Sequence, residues 1–261
     1  MTTPILLTGG TGTLGRQMLP LLRAAGRKVR VLSRRPHDAT DGVEYVTGDL
    51  ATGTGIDAAV TGVETVVHCA GSAKGDDVKA RHLVRAASAA GARHLVYVSV
   101  VGADRVPMTG RADRAMFGYY GAKRGGELAV AGAGLPWTTL RATQFHDLML
   151  RTASGMAKLP VLPVPSGMRV QPVDSGEVAA RMVELALGEP AGLVPDLGGP
   201  RVYGMDELIR DYLRATGKRR PLLPMRMPGA AAAAMRAGVN LTTTGGTTGR
   251  RTWEEFLAER S

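Results

Sequence analysis

Hydrophobic and polar positions follow a steady strand–helix rhythm through the first 140 residues. A short apolar run at 5–7 ends in glycines. Residues 17–25 then place Met18, Leu19, Leu21 and Leu22 at helical spacing before Gly26 stops the pattern. Apolar or β-branched runs follow at 28–32, 43–46 and 65–69. Residues 77–90 read as a helix, with Val78, Leu83, Val84 and Ala87 near one face and Gly91 as its stop. The run 94–101 predicts a strongly buried strand, 115–131 a helix and 137–140 another strand. Strands separated by helices predict βαβ units and a parallel sheet.

The rhythm weakens after residue 150. Residues 158–172 are rich in proline and read as loop with short strands. An amphipathic helix is predicted over 177–187, a strand over 193–197, and a helix over 205–216 that Gly217 ends. An alanine-rich helix at 229–237 and a terminal helix at 253–259 flank the loop LTTTGGTTG at 241–249. Met225, Met227 and the alanines at 230–234 read as a packing face that could serve as an apolar lid. There is no internal repeat. The simplest partition is one domain over 1–150 and a smaller part over 151–261, with segments near 170–200 returning to the first core.

Composition narrows the class. The chain has 261 residues, 44% hydrophobic and 21% charged, as in an ordinary globular protein. Its single cysteine, Cys69, rules out an internal disulfide or a Cys-based zinc site, and its strand-end place reads as a small buried hydrophobe. No His/Asp/Glu cluster has metal-ligand spacing, so no metal is expected, and no nucleophile elbow occurs. The start, MTTPILLTGGTG, lacks the basic n-region of a signal peptide. No stretch reaches the length of about 18 apolar residues needed to cross a bilayer. The expected setting is cytoplasmic, with no membrane partner. The net charge of +10 invites a nucleic-acid reading, but the cations are spread along the chain and aromatics are only 4%, too few for a stacking platform. No nucleic-acid partner is expected. A solvated Arg-rich surface and a positive cleft for a polyanionic cofactor both remain open.

The most informative stretch follows the first strand: Thr8-Gly9-Gly10-Thr11-Gly12-Thr13-Leu14-Gly15. It holds both G-x-x-G-x-x-G and G-x-G-x-x-G. The first glycines allow a tight strand-to-helix turn, Gly12 lets the backbone approach a pyrophosphate, and Gly15 lets helix and strand pack closely. The helix N-terminus that follows supplies N–H groups and a dipole for phosphates. No Gly-Lys-Ser/Thr follows, so this is not a Walker loop. At the end of the second strand an NAD site wants an acid. This chain offers Ser33-Arg34-Arg35, with Arg34 19 residues beyond Gly15 and no acid before Asp38. Two guanidiniums and a hydroxyl suit a 2′-phosphate, with Arg16 able to assist. NADP(H) is the preferred cofactor, NAD(H) a possible one. Arg34 and Arg35 read alternatively as surface charge.

These motifs resemble the short-chain dehydrogenase/reductase superfamily. The resemblance rests on TGGTGTLG at 8–15, Gly48-Asp49-Leu50, Cys69-Ala70-Gly71 and Tyr119-x-x-x-Lys123. It is greatest to the atypical, NmrA-like branch, through HLVYVSVVGAD at 94–104, YYGAKRGGEL at 119–128 and LRATQFHD at 140–147. The implied fold is α/β, a Rossmann-type doubly wound parallel sheet with a small C-terminal α/β substrate-binding lid. The resemblance implies Asp49 and Leu50 near the adenine, Cys69, Ala70 and Gly71 beside the cofactor, and Thr143, Gln144 and Phe145 near the nicotinamide. Lys123 would hold the nicotinamide ribose.

Tyr119 and Lys123 also have a reading from the residues alone. Positions i and i+4 share a helix face, and a cation beside a phenol favours the phenolate. Tyr119 then becomes a usable general acid/base; chance is the alternative for so common a spacing. Two positions depart from the superfamily. Val101 stands where the catalytic serine is usual, leaving Ser99 as a weak substitute, and His82 stands where the asparagine is usual. Tyr120 is a rival to Tyr119. His146, followed by Asp147, could polarise a carbonyl, or it caps or packs. His68 and His94 flank strands and read as structural. Gln171 and Trp137 could touch a pocket, Trp137 more plausibly as core.

The expected activity is NADPH-dependent hydride transfer to a small apolar carbonyl, enone or quinone, with Tyr119 and Lys123 assisting. The alternatives are a non-catalytic NADP(H) sensor and a cofactor-assisted isomerase or epimerase. The partner is a small-molecule substrate, and the chain carries no readable signal for oligomeric state.

Overall fold

A computed structural model describes residues 3–40, 42–72, 75–242 and 245–260. Strand β1 (Ile5–Thr8) leads into helix α1 (Thr13–Ala24), then β2 (Val29–Ser33), β3 (Val43–Thr47), α2 (Ile56–Val60), β4 (Thr65–His68), α3 (Asp76–Ala89), β5 (His94–Val100), α4 (Arg111–Ala131) and β6 (Trp137–Ala142). The later chain forms α5 (His146–Met156), β7 (Leu162–Pro165), β8 (Arg169–Val170), α6 (Ser175–Leu187), β9 (Gly192–Leu193) and β10 (Leu197–Gly198). It closes with β11 (Tyr203–Gly204), α7 (Met205–Ala215), β12 (Leu222–Met225), α8 (Ala230–Ala237), β13 (Thr247–Thr248) and α9 (Trp253–Ala258).

Spatially the chain forms two units. The first gathers Met1–Ser99, Ala122–Leu140 and Gly176–Val194; the second gathers Val100–Gly121, Arg141–Ser175 and Pro195–Ser261. In the first, the strands run in the order β9-β6-β5-β4-β1-β2-β3. Parallel pairing joins β1 to β2 and β4, β2 to β3, β4 to β5, and β6 to β9. This is the parallel sheet that the alternating pattern predicts, in the Rossmann-type α/β arrangement that the family resemblance implies. β1 is buried at all four residues and β5 at all seven, as strands covered on both faces must be. Leu6, Val66, Leu83, Leu95 and Tyr97 share one core cluster with Ile56 and Val60 of α2.

The second unit has its own core. Trp253, Phe256, Tyr203, Leu208, Ile209 and Leu162 are each buried to within 1% of full enclosure. Another cluster joins Phe117 and Tyr120 of α4 to Ala231, Ala232 and Met235 of α8. The buried Asp113 carboxylate links these helices, accepting from Gly110 N, Thr109 Oγ1 and Ala231 N, each at 3.0 Å.

Several boundaries differ from expectation. Helix α1 starts at Thr13, inside the glycine motif, because Gly12 is its N-cap. The strand expected at 193–197 is two short strands interrupted by Pro195, which has no N–H to donate to a ladder. Helix α5 was not predicted: its Ser, Thr and Gly content hides the one-turn repeat of buried Met149 and Ala153. The loop expected at 241–249 contains β13; Thr243 and Thr244 lie outside the described residues. Met225, expected on a packing face, is 49% exposed, whereas Ala231 and Ala232 do pack.

Candidate functional site

Because neighbouring strands of the first unit are parallel, the loops leaving their C-terminal ends share one sheet edge. Thr8 of β1 is level with Leu32 of β2 and His68 of β4. The segments 9–15, 33–35 and 69–71 depart from those three strand ends, and Asp49 and Leu50 follow β3.

The glycines are demanded by contacts. Gly9 has φ +72°, and an added Cβ there would stand 2.7 Å from Ala70 N. At Gly10 a Cβ would meet Val31 Cγ1 at 2.7 Å. At Gly15 it would enter the Gly9 carbonyl and approach Gly10 Cα to 2.6 Å. Only backbone without side chains folds this closely, and it leaves the start of α1 bare. Gly12 is exposed, and among the described residues no side chain caps the helix. The first-turn N–H groups therefore remain for an anion. Thr13 is half-buried, and Leu14 anchors the turn in the core.

At the end of β2, Ser33 Oγ accepts from Arg35 N at 3.2 Å. Arg34 and Arg35 are exposed, as is Arg16, and none of the three guanidiniums joins an ion pair among the described residues. Asp49 is partly committed to its own turn: Oδ1 accepts from Ala51 N at 2.8 Å. The buried Leu50 offers its carbonyl to His82 Nδ1 at 2.8 Å. His82 therefore tethers the loop after β3. Bare helix turn, close-packed glycines and unpaired guanidiniums together fit an anionic dinucleotide.

Behind this edge lies a buried polar cluster. Lys123, on the part of α4 that belongs to the first unit, is 3% exposed. Its Nζ lies 3.2 Å from Asp76 Oδ2, donates to Val98 O at 3.2 Å, and sits 5.1 Å from the centre of the Tyr97 ring. Asp76 is fully buried at the start of α3 and also accepts from Ser72 N at 2.8 Å and Lys79 Nζ at 3.3 Å. Gly71 borders the pair; a Cβ there would lie 3.5 Å from Lys123 Nζ. His68 stacks on Tyr97 and shares a 2.7 Å hydrogen bond with Thr8 Oγ1. Burial, and then the Lys123 ammonium, push its pKa down to about 3, so it is a neutral structural link. Burial likewise pushes the Cys69 thiol up to about 12, and its Sγ rests 3.5 Å from Met18 Sδ. His94 is fixed to Thr138 Oγ1 at 2.8 Å. Ser99 is 4% exposed, and its Oγ has no hydrogen-bond partner among the described residues.

Sequence reasoning missed Asp76 as the counter-ion of Lys123. The available signal was two successive acids opening a helix after Gly75, which reads first as favourable charge at a helix N-terminus.

The second unit holds the other candidates. Tyr119, in the same helix as Lys123, is half-buried and meets the Tyr120 ring edge-on at 5.9 Å. Burial pushes the Tyr120 phenol up to about 12, which makes the rival tyrosine a poor acid/base at neutral pH. Thr143 Oγ1 donates to Gln171 O, and Gln144 Oε1 accepts from Gln171 N at 3.3 Å. The Gln171 side chain donates to Gly199 O at 2.9 Å and accepts from Thr242 N at 3.0 Å, so it braces backbone. Phe145 is the N-cap of α5. Val101 is fully buried, its N–H donating to Ala142 O at 3.0 Å. His146 is also fully buried, with Phe256 at 4.9 Å and Trp253 at 6.0 Å between ring centres. Desolvation lowers its pKa to about 4, and this surrounding favours the packing reading over carbonyl polarisation.

Among the described residues no helix is long and apolar enough to cross a membrane, and no three His, Cys, Asp or Glu side chains gather as a metal site. A family model described as NAD(P)H-binding matches residues 9–186. The chain is 32% identical over 219 residues to (4-alkanoyl-5-oxo-2,5-dihydrofuran-3-yl)methyl phosphate reductase of Streptomyces griseus, covering 82% of this chain and 74% of that one. It is 32% identical to ceramide reductase of Caulobacter vibrioides, over 92% of this chain and 80% of the relative. Its fold is similar to that of an NADPH-dependent quinone oxidoreductase of Escherichia coli solved with NADPH, with TM-score 0.79 and 20% identity over 98% and 99% of the two chains.

Proposed function

The chain belongs to the NAD(P)H-binding family, as an atypical short-chain dehydrogenase/reductase, and from that premise we propose that it reduces a small apolar carbonyl, enone or quinone with NADPH. The observation that carries this reading is the close-packed glycine turn opening an uncapped helix, with Lys123 buried in the same unit. The names of the relatives support reduction but share no one substrate class: an alkanoyl-bearing oxo-dihydrofuran methyl phosphate for one, ceramide for the other.

When bound, the cofactor supplies a hydride from its nicotinamide. The rest of the chemistry falls to this chain. Gly9, Gly10, Gly12 and Gly15, with the N–H groups of Thr13 and Leu14, hold the pyrophosphate. Arg34 and Arg35, helped by Ser33 and Arg16, hold the 2′-phosphate and set the preference over NAD(H). Asp49 and Leu50 serve the adenine side, Cys69, Ala70 and Gly71 the middle, and Thr143, Gln144 and Phe145 the nicotinamide side. Tyr119 donates its phenolic proton to the substrate oxygen, and Lys123 stabilises the phenolate left behind. Ser99 is the weaker candidate for a second donor.

Val101 and His82, at the places where the superfamily's serine and asparagine are usual, favour a second reading: a protein that binds NADP(H) and senses it without turnover. The separating experiment is steady-state oxidation of NADPH by purified protein against a panel of quinones, enones and ketones. Turnover with an apolar member supports the reductase. Tight NADPH binding with no turnover across the panel supports the sensor. Altered substrate with no net change in cofactor supports an isomerase or epimerase.

A further inference from the structure

The second unit carries a surface that the reductase reading leaves unused. Strands β7 and β12 pair in parallel as a two-stranded ribbon, with Leu223 opposite Pro163 and Met225 opposite Pro165. One side of β7 packs inward through Leu162 and Val164, both buried. A ribbon covered on one side normally presents polar residues on the other. Here the two strands, LPVP and LLPM, contain no polar side chain. Leu223 is 53% exposed and Met225 49%, and the approach to β7 adds Leu159 at 44% and Val161 at 43%.

The segments that carry this apolar face hold charge of one sign, and on the neighbouring helix α7 Asp206 and Asp211 are taken up by Arg210 and Arg214. No acidic residue occurs in 148–173 or 212–253, whereas those segments hold eleven Lys and Arg, more than the whole net charge of +10. Lys158 precedes β7; Lys218, Arg219 and Arg220 precede β12, and Arg226 follows it. None of these five joins an ion pair among the described residues, in contrast to Arg201 with Glu207 and Glu254, or Arg251 with Asp174. Arg214, Lys218, Arg219 and Arg220 line an open depression of about 590 Å³ whose apolar lining is Leu213 and Pro221.

We propose that this face docks on an anionic lipid surface, with Leu223 and Met225 entering the interface and the surrounding cations meeting phosphodiester headgroups. Such a surface uses both halves of the pattern: apolar area buried at the acyl boundary and cations attracted to the headgroup layer. A second copy of the chain would set like charges against each other. Nucleic acid would satisfy the cations but leave the aliphatic ribbon unused, since neither strand nor its flanks carries an aromatic residue for base stacking. The expectation that the chain has no membrane partner rested on the lack of a spanning segment, which does not bear on a surface contact.

The test is co-sedimentation of the full chain with large vesicles of phosphatidylcholine alone or mixed with phosphatidylglycerol, in the presence of NADPH. Binding is expected to the anionic vesicles only and to weaken in roughly 0.5 M salt, where screening lengths shrink to a few ångströms. Each cation near an anionic leaflet strengthens partition roughly fivefold, so R219E/R220E should lower it at least about twentyfold. L223S/M225S should lower it roughly tenfold by removing the inserted area. Both variants should bind NADPH as the wild type does, which establishes that they are folded. Absence of vesicle binding overturns the proposal. So does binding that L223S/M225S leaves unchanged, or an RNA competitor that displaces the vesicles as effectively as added anionic lipid, because either outcome describes a general polyanion site.

Discussion

Two buried side chains, Lys123 in the first unit and His146 in the second, are accommodated in opposite ways. In the first, Lys123 is held at 3.2 Å from the fully buried Asp76 carboxylate and from a backbone carbonyl, so its charge is met on several sides. In the second, His146 is enclosed by Trp253 and Phe256, and desolvation lowers its pKa to about 4, so it is neutral at ordinary pH. A buried charge is expensive unless paired, and a fold maintains one where the charge has a task; a buried neutral ring fills space. On that reasoning the chemistry of the first unit lies at its polar edge, and His146 belongs to the core of the second.

The largest effect should come from separating proton delivery from cofactor binding. Tyr119→Phe is expected to cut turnover by roughly 10²–10⁴-fold. Its NADPH affinity should barely change, because the proposed phosphate site is the glycine turn, which Tyr119 is not part of. Steady-state rates and a binding titration on the same preparation check both halves. A variant as active as the wild type removes Tyr119 from the mechanism and leaves the proton to solvent.

Asp76→Asn should come next. It keeps the shape but leaves the Lys123 ammonium without its counter-ion, and breaking a buried pair from one side costs about 3–5 kcal/mol. Urea unfolding measures this. A loss below about 1 kcal/mol, the range of exposed pairs, would show that the cluster does not hold a buried charge.

A smaller effect separates His146. Its folded pKa of about 4 lies below the unfolded value of 6.5, so between those values the unfolded chain binds a proton that the folded chain does not. Stability contributed by neutral His146 is therefore complete above pH 6.5 and falls as pH drops to 4, by about 3 kcal/mol. His68 acts in the same direction, with its folded pKa near 3. The measurement is thus the difference between wild type and His146→Leu: the wild type should lose more stability over that window. Equal pH slopes would place a charged imidazole in the aromatic core.

How much of this was legible in the residues depended on how local the cause was. The strands β1, β2, β3, β4 and β5 follow from apolar runs bounded by glycines, and the glycine turn was readable because each glycine has a backbone reason at its own position. The proposed preference for NADP(H) was argued from the residues at the end of β2 alone. Asp76 was illegible because its partner lies far along the chain, in α4, and because an acid at a helix start has a sufficient local explanation. Helix α5 was hidden by weak helix formers that the Trp253 and Phe256 core overrides. Met225 was misread because apolar residues in a proline-rich segment look like packing; exposure comes from the pairing of β7 with β12, which no local pattern specifies.

The claim that the first unit is an NADPH site rests most directly on Arg34 and Arg35, exposed at the end of β2 and without an ion pair among the described residues. Calorimetric titration of NADPH and NADH into the wild type and Arg34→Ala tests it. Loss of a charge-assisted pair should cost about 1.5–3 kcal/mol. The wild type should therefore bind NADPH roughly ten- to a hundredfold more tightly than NADH, and Arg34→Ala should lose most of that preference while keeping its NADH affinity. Equal affinity of the wild type for both cofactors would contradict the assignment.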